Sequence, residues 1–283
     1  MAKKSISADG RSVVFTGASS GLGWAGALEL ERVGFQVFAS VRKAEDGEKL
    51  VAESAHGRVR PVIMDVTKPD QIRQAVAEVG PEPLWGLVNN AGISIPGPLE
   101  CVSPDQLRLQ LDTNVVGQLA VIQAFLPLLR AGRGRIVNVT SGLGRIAVPF
   151  LGAYAAAQFA KEGMSDALRR ELKPFGVSVS VVQPGVIVSP IWDKLTTMAH
   201  EILAHGRPET TELYRDSFLR FLTTSEQEAK QSKTQPADFA KVVVRALTDG
   251  RPKTRYHVGI DMTAAAVLAR VVPDRLLDKR FAA

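Results

Sequence analysis

Short apolar runs rich in β-branched residues alternate along the first two thirds of the chain with longer segments whose apolar positions recur at helical spacing. The runs are Ser12–Thr16, Gln36–Ser40, Val59–Met64, Leu84–Val88, Arg135–Val139 and Val177–Val182, and each predicts a strand buried on both faces. The segments near 22–33, 44–54, 69–78, 103–129 and 152–173 predict helices. Alternation of this kind with short links specifies an α/β fold, a doubly wound parallel sheet with helices on both faces. Crossovers in such sheets are right-handed and ligands gather at the carboxyl ends of the strands, so residues that do chemistry are expected to follow strands.

After Pro184 the pattern changes. Residues 190–222 read as an irregular helical stretch, 223–236 (TTSEQEAKQSKTQP) is polar, 237–247 resumes an amphipathic helix, and a short strand is expected at 255–258. No linker divides the first 185 residues and no solenoid-length repeat is present, so 1–283 is expected to form a single domain. Within it, 186–236 is the place for a substrate lid, with a plain surface excursion as the alternative, and 261–283 forms a basic C-terminal extension.

Composition adds limits. Apolar residues make up 45% of the 283 and charged ones 23%, enough for a core and too little charge for a disordered chain. The formal charge of +6 raises the question of nucleic acid, but residues 241–283 alone carry net +5 and leave +1 for the rest, with aromatics at only 6%. A basic tail on a neutral body with few stacking platforms gives no nucleic-acid surface. The single Cys101 excludes an internal disulfide and fits a reducing, cytoplasmic setting. No apolar h-region follows Lys3 and Lys4, so no secretory signal is expected, and the uncharged stretch Thr113–Leu129, interrupted by Asn114, Gln118 and Gln123, reads as a buried helix rather than a membrane span.

Directly after the first strand stands Thr16-Gly17-Ala18-Ser19-Ser20-Gly21-Leu22-Gly23, opening into a helix. Gly17 permits a tight turn, Gly21 lets backbone approach a pyrophosphate, and Gly23 lets helix and strand pack closely, while the free N–H groups of the helix start favour an anion. A tight strand-to-helix turn alone explains glycines here; the strand before and the helix after point to a dinucleotide. The Gly-x-x-x-Gly-x-Gly spacing resembles the short-chain dehydrogenase/reductase (SDR) family. Further marks are Asp65-Val66-Thr67, Asn89-Asn90-Ala91-Gly92, Asn114, Ser141, Tyr154 and Pro184-Gly185. The resemblance runs from about Ser12 to Gly185, more loosely beyond, and implies a Rossmann-type sheet and a nicotinamide cofactor.

In that family an acid closing the second strand binds the ribose hydroxyls and favours NAD, while a basic residue favours the 2′-phosphate of NADP. The second strand here ends Ser40-Val41-Arg42-Lys43 with no acid before Glu45. Arg42 can grip a phosphate with a forked pair of bonds and Ser40 can add a third, so NADP(H) is favoured over NAD(H); solvated loop charges are the alternative for Arg42 and Lys43. By resemblance, Gly17, Ser19, Ser20, Gly21, Leu22 and Gly23 hold the pyrophosphate, Asp65 and Val66 meet the adenine, and Asn90, Ala91 and Gly92 line adenosine and ribose. Pro184, Gly185, Ile187 and Ser189 border the nicotinamide, with Ser189 meeting its carboxamide.

The resemblance also implies hydride transfer between nicotinamide and a carbonyl or alcohol carbon. Tyr154 is then the proton donor, Ser141, thirteen positions earlier, orients the carbonyl oxygen, and Asn114 holds a relay water. The family pattern Tyr-x-x-x-Lys is broken, because the chain reads Tyr154-Ala-Ala-Ala-Gln158. Residues i and i+4 share a helical face, so Gln158 stands where an ammonium would lower the tyrosine pKa and bind the nicotinamide ribose. A neutral amide can bond ribose hydroxyls but leaves the phenol nearer its ordinary pKa of about 10, which hurts alcohol oxidation more than carbonyl reduction. Lys161, two turns and about 10 Å of rise beyond Tyr154, reads as a charge at the helix surface. Three accounts of Gln158 stay open: a natural reductase with neutral ribose contacts, a non-catalytic nucleotide-binding relative, or a deliberate substitution.

Leu143, Val148, Pro149, Phe150, Ile93 and Ile95 are expected to line an apolar pocket without a basic clamp, which suits a small hydrophobic ketone or secondary alcohol. The long C-terminal region resembles the retinol and steroid dehydrogenase branch of the family. Uncharged faces on 103–129 and 152–173 predict a homodimer or homotetramer, with burial inside one subunit as the alternative. His200 and His205, five apart, make no metal pair. The tail 264–283 mixes Val, Leu and Phe with Arg270, Arg275, Lys279 and Arg280 and is expected to cover the cleft or a neighbouring subunit, with contact to an anionic membrane surface as the alternative.

Overall fold

Seven strands, β1 (Ser12–Phe15), β2 (Gln36–Val41), β3 (Val59–Ile63), β4 (Gly86–Asn89), β5 (Arg135–Val139), β6 (Ser178–Pro184) and β7 (Arg255–Val258), form one sheet in the order β3-β2-β1-β4-β5-β6-β7. All six pairings are parallel. The computed structural model describes residues 5–189, 191–259, 262 and 272–281. Half of the predicted tail 264–283, including Arg270, lies outside the described residues; within the rest α10 (Asp274–Phe281) is helical.

Strand alternation sorts the core into two layers. Val13 and Phe15 of β1, with Val137 and Val139 of β5, pack on one face under α1 (Gly21–Arg32) and α9 (Pro236–Thr248), where Leu30, Phe239 and Val243 are fully buried. Val14, Leu87 and Ile136 point to the other face, under α3 (Pro69–Val79) and α5 (Gly117–Ala131), which contributes Val121, Ile122, Phe125 and Leu129. Fully buried aliphatics of this kind contribute roughly 1.5–3 kcal/mol each relative to exposure. The order reverses between β1 and β4, so a crevice opens beyond their carboxyl ends.

The predicted 103–129 helix is three pieces in line. α4 (Pro104–Leu111) starts with a capping box in which Ser103 and Gln106 satisfy each other's backbone N–H groups, Asp112–Val116 widens into a π turn, and α5 follows. The whole span Pro104–Ala131 is long and apolar enough to cross a bilayer by length and composition, yet its apolar stripe is the one packed on the sheet. α2 (Ala44–Ala52) and α6 (Gly152–Glu171) match their predicted segments to within two residues.

The region after β6 is more regular than its sequence indicates. α7 (Ile191–His205) and α8 (Pro208–Gln231) are two helices, and α8 runs through most of the polar stretch 223–236. One buried face suffices for a helix even when the rest is polar; here Phe218, Leu222 and Ala229 supply it. Phe218 and Leu222, together with Phe150, Leu151, Leu195, Ala199 and Leu203, form a third apolar cluster. Thr196 on α7 donates to Glu226 on α8 at 2.6 Å, and Ser232 ties the end of α8 to the Val186 carbonyl at 2.6 Å.

Candidate active site

Four segments meet beyond the carboxyl ends of the strands. The loop after β1 is shaped by its backbone. Gly17 has φ +70°, and a Cβ there would stand 2.8 Å from Ala91 Cα. A Cβ on Gly23 would run into the Gly17 carbonyl. α1 therefore starts hard against the loop, with no acid in its first turn and no side-chain cap from Ser20. Free N–H groups and a positive dipole end with nothing anionic nearby suit a pyrophosphate. Ser19 is half-buried and Ser20 exposed at the same mouth, with Gly21 and Leu22 half-buried behind them.

Two residues fix that loop from outside. The Thr16 hydroxyl accepts from Asn90 N and Ala91 N, both at 3.0 Å, and the Asn90 amide donates to the carbonyls of Thr16 and Gly17 at 3.1 Å. Asn90 thus staples the β1 and β4 loops together. Thr16 was quoted in the sequence without a role; the signal was a hydroxyl residue closing a strand directly before the first glycine.

Gly92 leads on to the π turn, where Asn114 is 1% exposed. Asn114 Nδ2 donates to the Ile93 carbonyl at 3.0 Å and its Oδ1 accepts from Ile93 N at 2.9 Å. Gln110, one turn earlier and unnoticed in the sequence, holds the same segment through Ile93 O and Ile95 N at 2.8 Å. Both ends of the Asn114 amide are therefore tied to the Ile93 main chain.

On the adenosine side, Asp65 Oδ1 accepts from the N–H and hydroxyl of Thr67 at 2.9 and 2.7 Å. Burial pushes the Asp65 pKa up, but the Thr67 bonds with Arg42 and Lys68 nearby hold it below the usual value. Val66 is buried against the start of α5. Arg42 and Lys43 are exposed where β2 ends. Ser40 requires correction as a phosphate ligand: it is 2% exposed and its hydroxyl donates to the Met64 carbonyl at 3.3 Å, since strand alternation turns it toward β3.

Ser141 follows β5 and caps the short 3-10 turn Gly142–Gly144, its oxygen accepting from Leu143 N at 3.2 Å. That turn packs on α6, which also meets the π turn. Desolvation raises the Tyr154 pKa above its ordinary value, while the nearby side chains of Ser141 and Gln158 pull in the opposite direction. Gln158 is 2% exposed, and its Oε1 is a buried acceptor with no partner. An orphaned acceptor beside the phenol fits a ribose hydroxyl, and the glycine cradle fits a pyrophosphate, so the residues present fit a bound dinucleotide.

Lys161 also requires correction, because it is 2% exposed rather than at the surface. Positions 154, 158, 161, 162 and 165 form one inward stripe, and Lys161 Nζ donates to the Val139 carbonyl at 2.5 Å. Burial lowers its pKa from 10.5 to about 7, with Glu162 opposing. Glu162 itself accepts from Thr140 at 2.7 Å, Gln183 at 2.8 Å and Arg255 at 3.0 Å, and pairs with Arg145 at 3.1 Å.

After β6, Pro184 is buried, Gly185 N donates to Val258 O at 2.9 Å, and the Ile187 carbonyl accepts from Trp192 Nε1 at 3.0 Å. Ser189, half-buried, has its carbonyl on Trp192 N at 3.4 Å. Leu143, Val148 and Phe150 join the apolar cluster of the lid helices, whereas Ile95 is fully buried under Gln110. His200 and His205 are exposed, and the described residues contain no metal-ligand cluster.

The family model described as short chain dehydrogenase matches residues 11–200. The 3-amino-tetrahydro-pyrrolizinone reductase of Xenorhabdus hominickii is 44% identical over 96% of this chain and 94% of its own length. The mouse protein named retinol dehydrogenase 5 is 35% identical over 98% of this chain and 89% of its own. A short chain dehydrogenase from Burkholderia cenocepacia J2315, solved in complex with NADP, superposes with TM-score 0.76 at 25% identity, covering 98% of this chain and 100% of that one. A short chain dehydrogenase/reductase from Burkholderia phymatum in complex with NAD shares the fold at TM-score 0.80 and 21% identity, covering 97% and 96%.

Proposed function

The chain belongs to the short-chain dehydrogenase family of nicotinamide-dependent oxidoreductases, and from that premise we propose that it reduces a small hydrophobic ketone with NADP(H). The observation that carries the reading is the Tyr154 phenol beside Ser141 and Gln158, at the carboxyl end of the sheet. A nicotinamide cofactor held by the glycine loop and Gln158 would supply the hydride for the carbonyl carbon. Ser141 orients the carbonyl oxygen, and Tyr154 gives its proton to that oxygen as the carbon is reduced, so a ketone, a hydride and a proton become an alcohol. Gln158 would bond the ribose through its vacant acceptor and adds no charge, and the raised phenol pKa keeps Tyr154 protonated, the form that serves reduction rather than oxidation. The direction is therefore reduction.

Preference for NADP(H) rests on exposed Arg42 at the end of β2, with no acid there to meet the ribose hydroxyls. The complex of the B. cenocepacia relative with NADP supports it. An apolar substrate is supported by Leu143, Val148 and Phe150 under the lid residues Leu195 and Phe218. Leu109, Val116 and Phe159 are 46–56% exposed on α4, the π turn and α6, which supports a homodimer or homotetramer. A cytoplasmic setting rests on the single cysteine.

Neutral Gln158 favours one second reading, a nucleotide-binding protein with little turnover. Product analysis from a panel of hydrophobic ketones with NADPH separates the two. Alcohol formation that Tyr154→Phe reduces about a thousandfold supports the reductase, since general acid transfer contributes roughly 10²–10⁴-fold. Tight NADPH binding with no product, even after Gln158→Lys, supports the second reading.

A further inference from the structure

The inward stripe of α6 carries one charged side chain to which the chemistry above gives no task. Lys161 is buried, its ammonium meets the Val139 carbonyl at 2.5 Å, and among the described residues no carboxylate pairs with it. Glu162, next in sequence, is turned to Arg145 and Arg255. A buried ammonium held by one carbonyl is costly, and an apolar side chain of similar length fills the same space without that cost. Yet the charge lies where it can act. Val139 closes β5, Ser141 is two residues on, and one turn before Lys161 the buried Gln158 stands beside the Tyr154 phenol without a charge of its own.

We propose that Lys161 is a positioning residue of this site, whose ammonium, reaching the end of β5 from the turn of α6 behind Gln158, supplies the positive charge that favours proton transfer out of Tyr154. The proposal rests on the reductase reading for its consequence and on the buried lysine for its cause. Two turns of helix separate the residues, about 10 Å of rise. At an effective dielectric near 20, a unit charge at that distance shifts an ionisation by on the order of one pH unit, or about tenfold in a proton-transfer equilibrium.

The other charged groups near Lys161 are accounted for. Arg145, after β5, and Arg255, on β7, pair with Glu162, and Arg255 also pairs with Asp166 of α6. His257 on β7 has its pKa lowered by burial and by Arg145. Gln118 on α5 and Gln183 on β6 are buried and neutral. Because burial brings Lys161 to about 7, its charge is present below neutrality and lost above it.

Two measurements test this. With acetophenone or cyclohexanone and NADPH, kcat for reduction is expected to fall as pH rises through about 7. Lys161→Met should lower kcat about tenfold near pH 6, with KM and the rate near pH 9 unchanged, and Lys161→Arg should restore the rate and carry it past pH 9. Unaltered kcat in Lys161→Met at both pH values overturns the proposal. The second measurement needs no turnover. Phenolate absorbance titrations, each corrected by the matching Tyr154→Phe protein, should place the Tyr154 midpoint about one unit lower in Lys161→Arg than in Lys161→Met. Coincident midpoints overturn the assignment. Separated midpoints with no product from either ketone retain it and remove the reductase reading instead.

Discussion

The loop after β1 and the inward stripe of α6 border the same cleft but are made of different material. The loop is main chain: its shape follows from Gly17 at positive φ, Gly23 against the Gly17 carbonyl, and the Thr16 and Asn90 bonds that hold it to β4. Nothing in it depends on a particular side chain reaching the ligand. The α6 stripe is the reverse, a regular helix on which Tyr154, Gln158 and Lys161 differ only in what their side chains bring. A backbone site fails when a side chain is added, whereas a side-chain site can be edited without disturbing its scaffold. That is why an altered residue at 158 is compatible with an unaltered fold.

The contrast is broken most severely from the loop side. Gly23→Val puts two methyl groups where the Gly17 carbonyl already lies, so the helix start must move away from the anion it would bind. NADPH affinity, read by calorimetric titration, is expected to fall a thousandfold or more, about 4 kcal/mol, while Gln158→Lys changes it less than tenfold. Equal losses in the two variants would mean that the α6 side chains, not the loop, dominate cofactor binding.

Lys161→Met tests the other half, through stability. The unfolded lysine titrates near 10.5 and the folded one near 7. Between these values the unfolded chain binds more protons, so this group's contribution to stability rises with pH across that window and is least favourable below it. Methionine removes the penalty. The variant should be more stable than the parent by a few kcal/mol at about pH 6, with the gain shrinking toward zero near pH 10. Denaturant melts at the two pH values measure it. A loss of stability at pH 6 would show that the Val139 contact outweighs desolvation.

The same division explains what the sequence could tell. Glycine spacing, strand ends and alternation are local, so the parallel sheet and the glycine-rich turn after β1 were legible, and helix α6 was placed to within two residues. What escaped depended on side chains meeting partners distant in sequence. Ser40 lies at a strand end in the sequence but turns its hydroxyl to Met64 in space. Lys161 reads as a surface lysine until the stripe shared with Gln158 shows that it faces β5. Gln110 and Asn114 both hold the segment after β4, 15–21 residues away. The polar stretch of α8 failed for another reason: a few buried positions among many exposed ones give a weak periodic signal.

Arg42 is the one place where the cofactor half relies on a side chain, and it offers the finest test of the contrast. It is exposed at the end of β2, near enough to help depress the Asp65 pKa, and no backbone device stands in for it. Charge-assisted bonds to a phosphate contribute roughly 1.5–3 kcal/mol, discounted here by exposure. Arg42→Ala should therefore weaken NADPH about tenfold and leave NADH within a factor of about two, as read from parallel titrations. Lys43→Ala, one residue on and without a forked donor, should cost NADPH less. If both cofactors weaken together, Arg42 acts on the loop as a whole; if neither moves, phosphate recognition lies elsewhere and the loop half is backbone throughout.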